Sequence, residues 1–345
     1  MWRNVQKLLG IALPTALLLL YVVVGVCLLN RWDSAVPVTL VPLWVWSLLG
    51  MAGALVAWIF DRTVKPLVIF FLYLFSGVGL AEETHGIIRE LAFSLRRPSA
   101  EKAENESPSF RVISLNCGHS EVPLRRVANL KPDLLLLQEA PAEGVILDVA
   151  NELFGVDRSF IIHEGSAILT RGIFLSTITV PDTSTIHVRL QLADGSIIDV
   201  TNLSLPRCAP HLEMWKPTEW GKLVEARRHN RRLVRTYLGE NRITRSTMGR
   251  IIGGDFGTPP GDDVFRPLQG AGLLDSFAGR GIGWGNTDPA AYALLRLDQV
   301  WVSENFGVQK ATSPLIDGAP RRAASADLRL PRSIPKKAPA PEVVP

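Results

Sequence analysis

Charge is what the start of this chain most lacks: Leu8–Leu29 contains no Asp, Glu, Lys or Arg. At about 1.5 Å of rise per residue, a helix of that length crosses a hydrocarbon core of about 30 Å. No small-x-small cleavage pattern follows it, which argues against a removable signal peptide, and a second apolar stretch comes directly after. Val26 precedes Cys27 where a lipid-modified cysteine needs a small residue, so Cys27 reads as part of the helix. The 3 cysteines show no zinc-type spacing, and no internal repeat points to a solenoid. Aromatic residues are missing from the cluster Arg227, Arg228, Arg231, Arg232 and Arg235. Without rings to stack bases, that cluster reads as the solvated face of a helix, and a net charge of +4 adds little to a nucleic-acid reading.

What is present is hydrophobicity, 47% of the residues, concentrated in the first eighty positions. Spans are expected at about 8–29, 36–60 and 66–81, with Trp44, Trp46 and Trp58 as interface anchors and an interfacial or re-entrant path as the alternative for the third. Arg3 and Lys7 precede the first span, and Arg62 and Lys65 lie between the second and third, against Arg31 alone in the first connecting loop. The bias places those four basic residues in the cytoplasm and, with three crossings, everything after Ala81 outside it. The expected protein is a multi-pass membrane protein that contacts a bilayer through its N-terminal helices. Residues 82–109 read as a juxtamembrane segment and polar linker, 110–334 as the folded domain, and 335–345 as a disordered Pro-rich tail.

Within the domain, apolar runs end on polar side chains. Phe110–Asn116 closes on Asn116, the four leucines of KPDLLLLQE close on Glu139, and RIIGGDFGTPP delivers Asp255 to the mouth of a Pro-rich turn. Buried strands that deliver such groups at their carboxyl ends build clefts, although Asn116 and Asp255 would also serve as plain turn residues. Segments 124–130, 144–154 and 219–238 read as helices, and Asp194-Gly195 joins two alternating runs as a hairpin.

GGDFGTPP and PDLLLLQE resemble the GGDFNTPP and PDIICLQE boxes of the endonuclease/exonuclease/phosphatase superfamily of metal-dependent phosphoesterases. GSAILTR, VTNLSLP, LRLDQVWVS and ADLRLP are similar to further boxes of that superfamily in the same order. The resemblance implies an α/β fold of two packed mixed β-sheets flanked by helices, a four-layer sandwich, here preceded by a bundle of three transmembrane helices. It implies Mg²⁺ or Mn²⁺ held by Glu139, Asp327 and Asn116, with Asp255, Asp298 and Asn116 in catalytic roles. The substrate implied is a phosphate ester, with nucleic acid, phospholipid and sugar phosphate all open; no protein partner is implied.

On this alignment Ser204 and Leu328 stand where the family has histidines, and Gly257 where it has asparagine. The expectation is a slow phosphoesterase that Ser204→His, Leu328→His and Gly257→Asn would quicken. A catalytically impaired module that binds a phosphorylated ligand is the alternative. His119, His163 and His211 are the histidines that a loop would have to bring in as substitutes, and Cys117 and Cys208 are either two thiols or a disulfide.

Overall fold

The computed structural model describes residues 2–95, 110–180, 183–240 and 247–330. The linker expected at 98–109 and the tail at 335–345 lie outside them.

Helices α1 (Trp2–Asn30), α3 (Leu43–Phe60) and α4 (Val64–Gly79) form the apolar bundle. Val5–Asn30, with mean hydropathy 2.6, and Leu43–Phe60, with 1.9, are each long and apolar enough to cross a membrane. α4 qualifies only together with α5 (Glu82–Leu95), to which it is bent by 65°. The Tyr73 hydroxyl donates to the Leu17 carbonyl at 3.0 Å, and Tyr21 and Ser76 hydroxyls pair at 2.9 Å, tying α4 to α1. Gly77 lets α4 lie against Ser47 of α3, where a Cβ would come within 2.9 Å.

The span expected at 36–60 is broken. α2 (Val36–Leu40) is separate, and its Val36 and Leu40 are buried against Cys208, Met214 and Leu223 of the domain. Hydropathy cannot distinguish an apolar side chain facing lipid from one facing protein.

The domain has two six-stranded sheets. The first has strand order β11 (Gly307–Thr312), β12 (Ala324–Arg329), β1 (Phe110–Asn116), β2 (Leu134–Gln138), β4 (Ser166–Arg171), β3 (Arg158–His163). The second runs β5 (Ile173–Thr179), β6 (Ile186–Gln191), β7 (Ile197–Ser204), β8 (Arg250–Asp255), β10 (Asp298–Ser303), β9 (Leu273–Asp275). The run of four leucines in β2 needs no alternation because both of its faces are covered. Leu134 and Leu136 point into the core between the sheets, with Val188, Val200 and Ile251. Leu135 and Leu137 meet Leu124 of α6 (Glu121–Val127) and Ile146 of α7 (Glu143–Phe154). On the far side of the second sheet, Val234 of α8 (Pro217–Glu240) and Leu268 of α9 (Arg266–Gly270) pack on Ile252 and Trp301. The fold is therefore the expected four-layer sandwich, with helices outside both sheets.

α8 departs from expectation in part: Arg228, Arg232 and Arg235 are exposed as expected, but Arg227 and Arg231 are not. Arg227 is fully buried and donates to Asp262 at 2.5 Å, to the Thr39 hydroxyl and to the Trp32 carbonyl at 3.2 Å. Arg231 pairs with Asp33 at 2.9 Å and with Asp263. These partners lie in the segment between α1 and α3 and in the turn after Asp255, so α8 clamps the membrane-proximal chain to the domain. On the other flank Arg296 holds Glu82 at 2.5 Å, and Arg89 of α5 donates to the Gly281 carbonyl at 2.6 Å. Both the α1–α3 connection and the end of α4 thus dock on the domain.

Candidate active site

Parallel pairing decides where the site is. β1 and β2 are parallel and finish side by side at Asn116 and Gln138; β7 and β8 are parallel and finish at Ser204 and Asp255. A buried amide pair joins the two sheets just beneath these ends. Gln138 Nε2 donates to Asn202 Oδ1 at 2.6 Å, and Asn202 Nδ2 donates to the carbonyls of Leu137 at 2.7 Å and Ala167 at 3.0 Å. All four carboxyl ends therefore emerge at one end of the sandwich.

On the first-sheet side, Asn116 Nδ2 donates to Glu139 Oε1 at 3.0 Å, while Asn116 Oδ1 accepts the Gly118 N–H at 3.0 Å. Glu139 is exposed and adopts a left-handed backbone, φ 44°, uncommon for a non-glycine residue. The His119 N–H donates to the Glu139 carbonyl at 2.7 Å, pinning the two turns together. Left-handed strain held by surrounding bonds concentrates at functional sites, and here it aims a free carboxylate into solvent beside an amide.

On the second-sheet side stand three acids around one arginine. Asp255 Oδ1 accepts the Gly257 N–H at 2.9 Å, and its Oδ2 lies 2.5 Å from Arg321 Nη1. Asp298, opposite Asp255 in the β8–β10 register, is fully buried, with Oδ1 3.7 Å from Arg321 Nη1 and no hydrogen bond to either carboxyl oxygen. Asp288 lies 3.3 Å from Arg321 Nε and is also reached by Arg207 at 2.9 Å. Arg321 enters from the first sheet's side, just ahead of β12, and its neighbour Pro320 packs under Gly118. Arg321 thus carries a charge from the first sheet's side to the acids of the second.

Burial raises the Asp298 pKa above the carboxylate range; the Asp255 charge adds to this and Arg321 opposes it. Burial also works against the Arg321 charge, but Asp298 and Asp255 outweigh it and hold the guanidinium above its ordinary range. The site therefore carries a permanent cation among acids, one of which favours its protonated form.

Several expected positions are elsewhere. Asp327 pairs with Arg111 at 2.6 Å, and Arg111 lies opposite it at the start of β1, five residues before Asn116. At about 3.3 Å per residue that is roughly 16 Å from the cleft, so Asp327 is not with the other acids. The ADLRLP box was matched to the middle of β12, whereas it is the residues before β12 that reach the site. Leu328 is accordingly a fully buried core residue and does not occupy a histidine's place. Gly257 has φ 63°, and a Cβ there would meet the Pro206 carbonyl oxygen at 2.7 Å. Ser204 does end β7 beside Asp255. Of the histidines, His119 is exposed on the turn after Asn116, while His163 closes the edge strand β3, level with the carboxyl end of β2 but two strands to its side. Cys117 and Cys208 are free thiols in different apolar clusters, each pushed up to about 12 by burial.

Among the described residues no group of three His, Cys, Asp or Glu side chains is arranged to hold a metal. Glu139 still fits one: Mg²⁺ keeps most of its waters and needs only one or two carboxylates besides substrate oxygens. Asp255, Asp288 and Asp298 already surround a cation of the protein's own. Sequence reasoning missed Arg321 and Asp288, and also the Gln138–Asn202 bond. Nothing in a coil sequence marks an arginine that will be buried.

Among solved structures, a mannosyl-6-phosphatase of Bacteroides thetaiotaomicron VPI-5482 matches with TM-score 0.50 at 17% identity, over 64% of this chain and 100% of that one. The human nocturnin catalytic domain matches with TM-score 0.46 at 15% identity, over 65% and 94%. Humanized D. rerio TDP2 gives 0.47 at 15%, over 65% and 100%. At 17% identity the likeness to the first is one of fold alone. No curated protein matches the sequence. The Endonuclease/Exonuclease/phosphatase family profile matches residues 113–322, more than half of the chain and the stretch from within β1 to just past Arg321, so this protein belongs to the endonuclease/exonuclease/phosphatase family.

Proposed function

We propose that this protein is a membrane-anchored phosphoesterase in which Arg321 supplies the positive charge expected from an imidazole. The observation that carries the reading is the convergence of Asn116, Glu139, Asp255, Asp298 and Arg321 on one end of the sandwich. Phosphoryl transfer asks a protein mainly for positioning and charge stabilisation. Asp255, anchored by the Gly257 N–H, is placed to orient a water and take its proton. Arg321 faces the phosphoryl oxygens as charge develops there, its guanidinium held in place by Asp255 and Asp288. Asn116 orients Glu139, the carboxylate suited to Mg²⁺ or Mn²⁺. When bound, the ion would polarise a phosphoryl oxygen.

A phosphate-binding module without turnover is the second reading, favoured by the absence of any described hydrogen bond or ion pair between a histidine and the acids around Arg321. Hydrolysis by the full chain in detergent micelles separates the two readings. With millimolar Mg²⁺, an activated phosphodiester or phosphomonoester should be turned over, and Glu139→Gln should cost about 10²-fold or more. Thermal stabilisation by Mg²⁺ without hydrolysis of either ester would favour the binding module.

A further inference from the structure

Two cavities lie end to end where the helix bundle meets the domain. The first, about 400 Å³, sits among the helices and is lined almost wholly by apolar and aromatic side chains, including Tyr21, Val24 and Tyr73. The second, about 210 Å³, lies above it and is walled by Arg31, Glu82, Glu83, Arg296 and the Pro259–Gly261 turn; burial raises the Glu83 pKa and so favours its neutral form there. Leu28, Leu43 and Leu80 line both, so the two form one path from the interior of the bundle to the domain. That turn is the continuation of the loop that leaves Asp255. Arg31 caps the path and makes no described ion pair, whereas Arg296 is already held by Glu82 and Asp275.

Such a groove has the form of an amphiphile: hydrocarbon below, an uncommitted cation at the top, and the catalytic loop as its far wall. Trp44 at the start of α3 packs on Trp284 of the glycine-rich loop, with ring centroids 5.4 Å apart. Trp46 lies 6.5 Å from Trp215. Tryptophans at a span's end mark headgroup depth, so the loops bordering the cleft sit at that depth too. We infer that this groove binds a membrane lipid with a phosphate-bearing headgroup, its chain between the helices and its phosphate toward Arg31, and that the phosphoester substrate is lipid-borne. The inference about substrate rests on the phosphoesterase reading; the inference about lipid binding does not. In the reaction, the water oxygen bonds to phosphorus and the bond from phosphorus to the lipid-side oxygen breaks. That oxygen keeps the electron pair and takes one proton from the water, whose other proton passes through Asp255 to solvent.

The test uses the full chain in phosphatidylcholine vesicles carrying phosphatidic acid as phosphomonoester and phosphatidylglycerol as phosphodiester. Hydrolysis of these is compared with that of a soluble nitrophenyl ester, and lipid retained by purified protein is measured by native mass spectrometry. Arg31→Gln removes the cation at the top of the path, and Leu28→Trp and Ser47→Leu obstruct its neck and its wall. Each should lower the ratio of lipid to soluble kcat/KM at least about tenfold and reduce the retained anionic lipid. Soluble-ester hydrolysis with no lipid hydrolysis, or with a ratio that none of the variants moves, overturns the substrate inference and leaves the phosphoesterase reading standing. Loss of every activity with lipid still retained overturns the phosphoesterase reading and the lipid substrate together, and leaves the binding site. Equal lipid retention by wild type and all three variants overturns the binding site.

Discussion

Leu328→His would place an imidazole inside the sandwich, against Phe110 and Val308, with no acid in reach. Burying an unpaired polar group there should destabilise the domain by about 2–4 kcal/mol in thermal unfolding, with no gain in hydrolysis. Gly257→Asn should likewise fail to help, because the Pro206 carbonyl occupies the space of its Cβ. His187 makes a pH prediction. Burial lowers its pKa to about 4, and its ring bonds the Thr201 hydroxyl at 2.9 Å. Between about pH 4 and 6.5 the unfolded chain binds a proton that the folded chain refuses, so stability falls as pH drops through that window, by at most about 3 kcal/mol. His187→Gln should flatten the fall in melting temperature across it; an unchanged pH profile would mean that another group is responsible. Asn116, Glu139 and Asp255 were legible as site candidates because each ends an apolar run, a pattern that buried strands impose locally. Arg321 was not, because its partners come from β8, β10 and the loop holding Asp288, and their meeting is a property of the fold alone.

At the scale of elements, the helix over 219–238 could be read from its apolar period, and the structure extends it to Pro217–Glu240. Which face its arginines met could not, since their acids lie near 33 and 262 in the chain. Arg227→Ala should leave Asp262 buried without its counter-charge and cost about 3–5 kcal/mol, read as a lowered melting temperature of the full chain. Arg232→Ala, at an exposed pair with Glu225, should change it little. Equal effects would mean that α8 does not clamp the membrane-proximal segment. The hairpin at Asp194-Gly195 was legible for a local reason: Gly195 takes φ 81°, and Asp194 Oδ1 accepts the Ser196 N–H at 2.9 Å.

For the whole molecule, three crossings would place the docked domain on the side opposite the N-terminus, and the Arg/Lys bias assigns that side to the outside. A reporter fused after Pro345 should then be active only in an extracytoplasmic compartment; activity in the cytoplasm would mean that α4 turns back. The order of layers was available from sequence through the family resemblance, whereas the strand patterns themselves marked only single buried strands such as β2. The seating of the domain on the bundle was not, since it rests on ion pairs between distant segments. The central claim, that Arg321 is the cleft's working cation, is tested most directly by kcat/KM of the full chain for an activated phosphodiester at saturating Mg²⁺. Arg321→Ala should lower it by about 10²-fold or more, and Arg321→Lys should recover part of the loss with the fold intact by melting temperature. An Arg321→Ala protein that melts like the wild type and hydrolyses the ester as fast would contradict the claim.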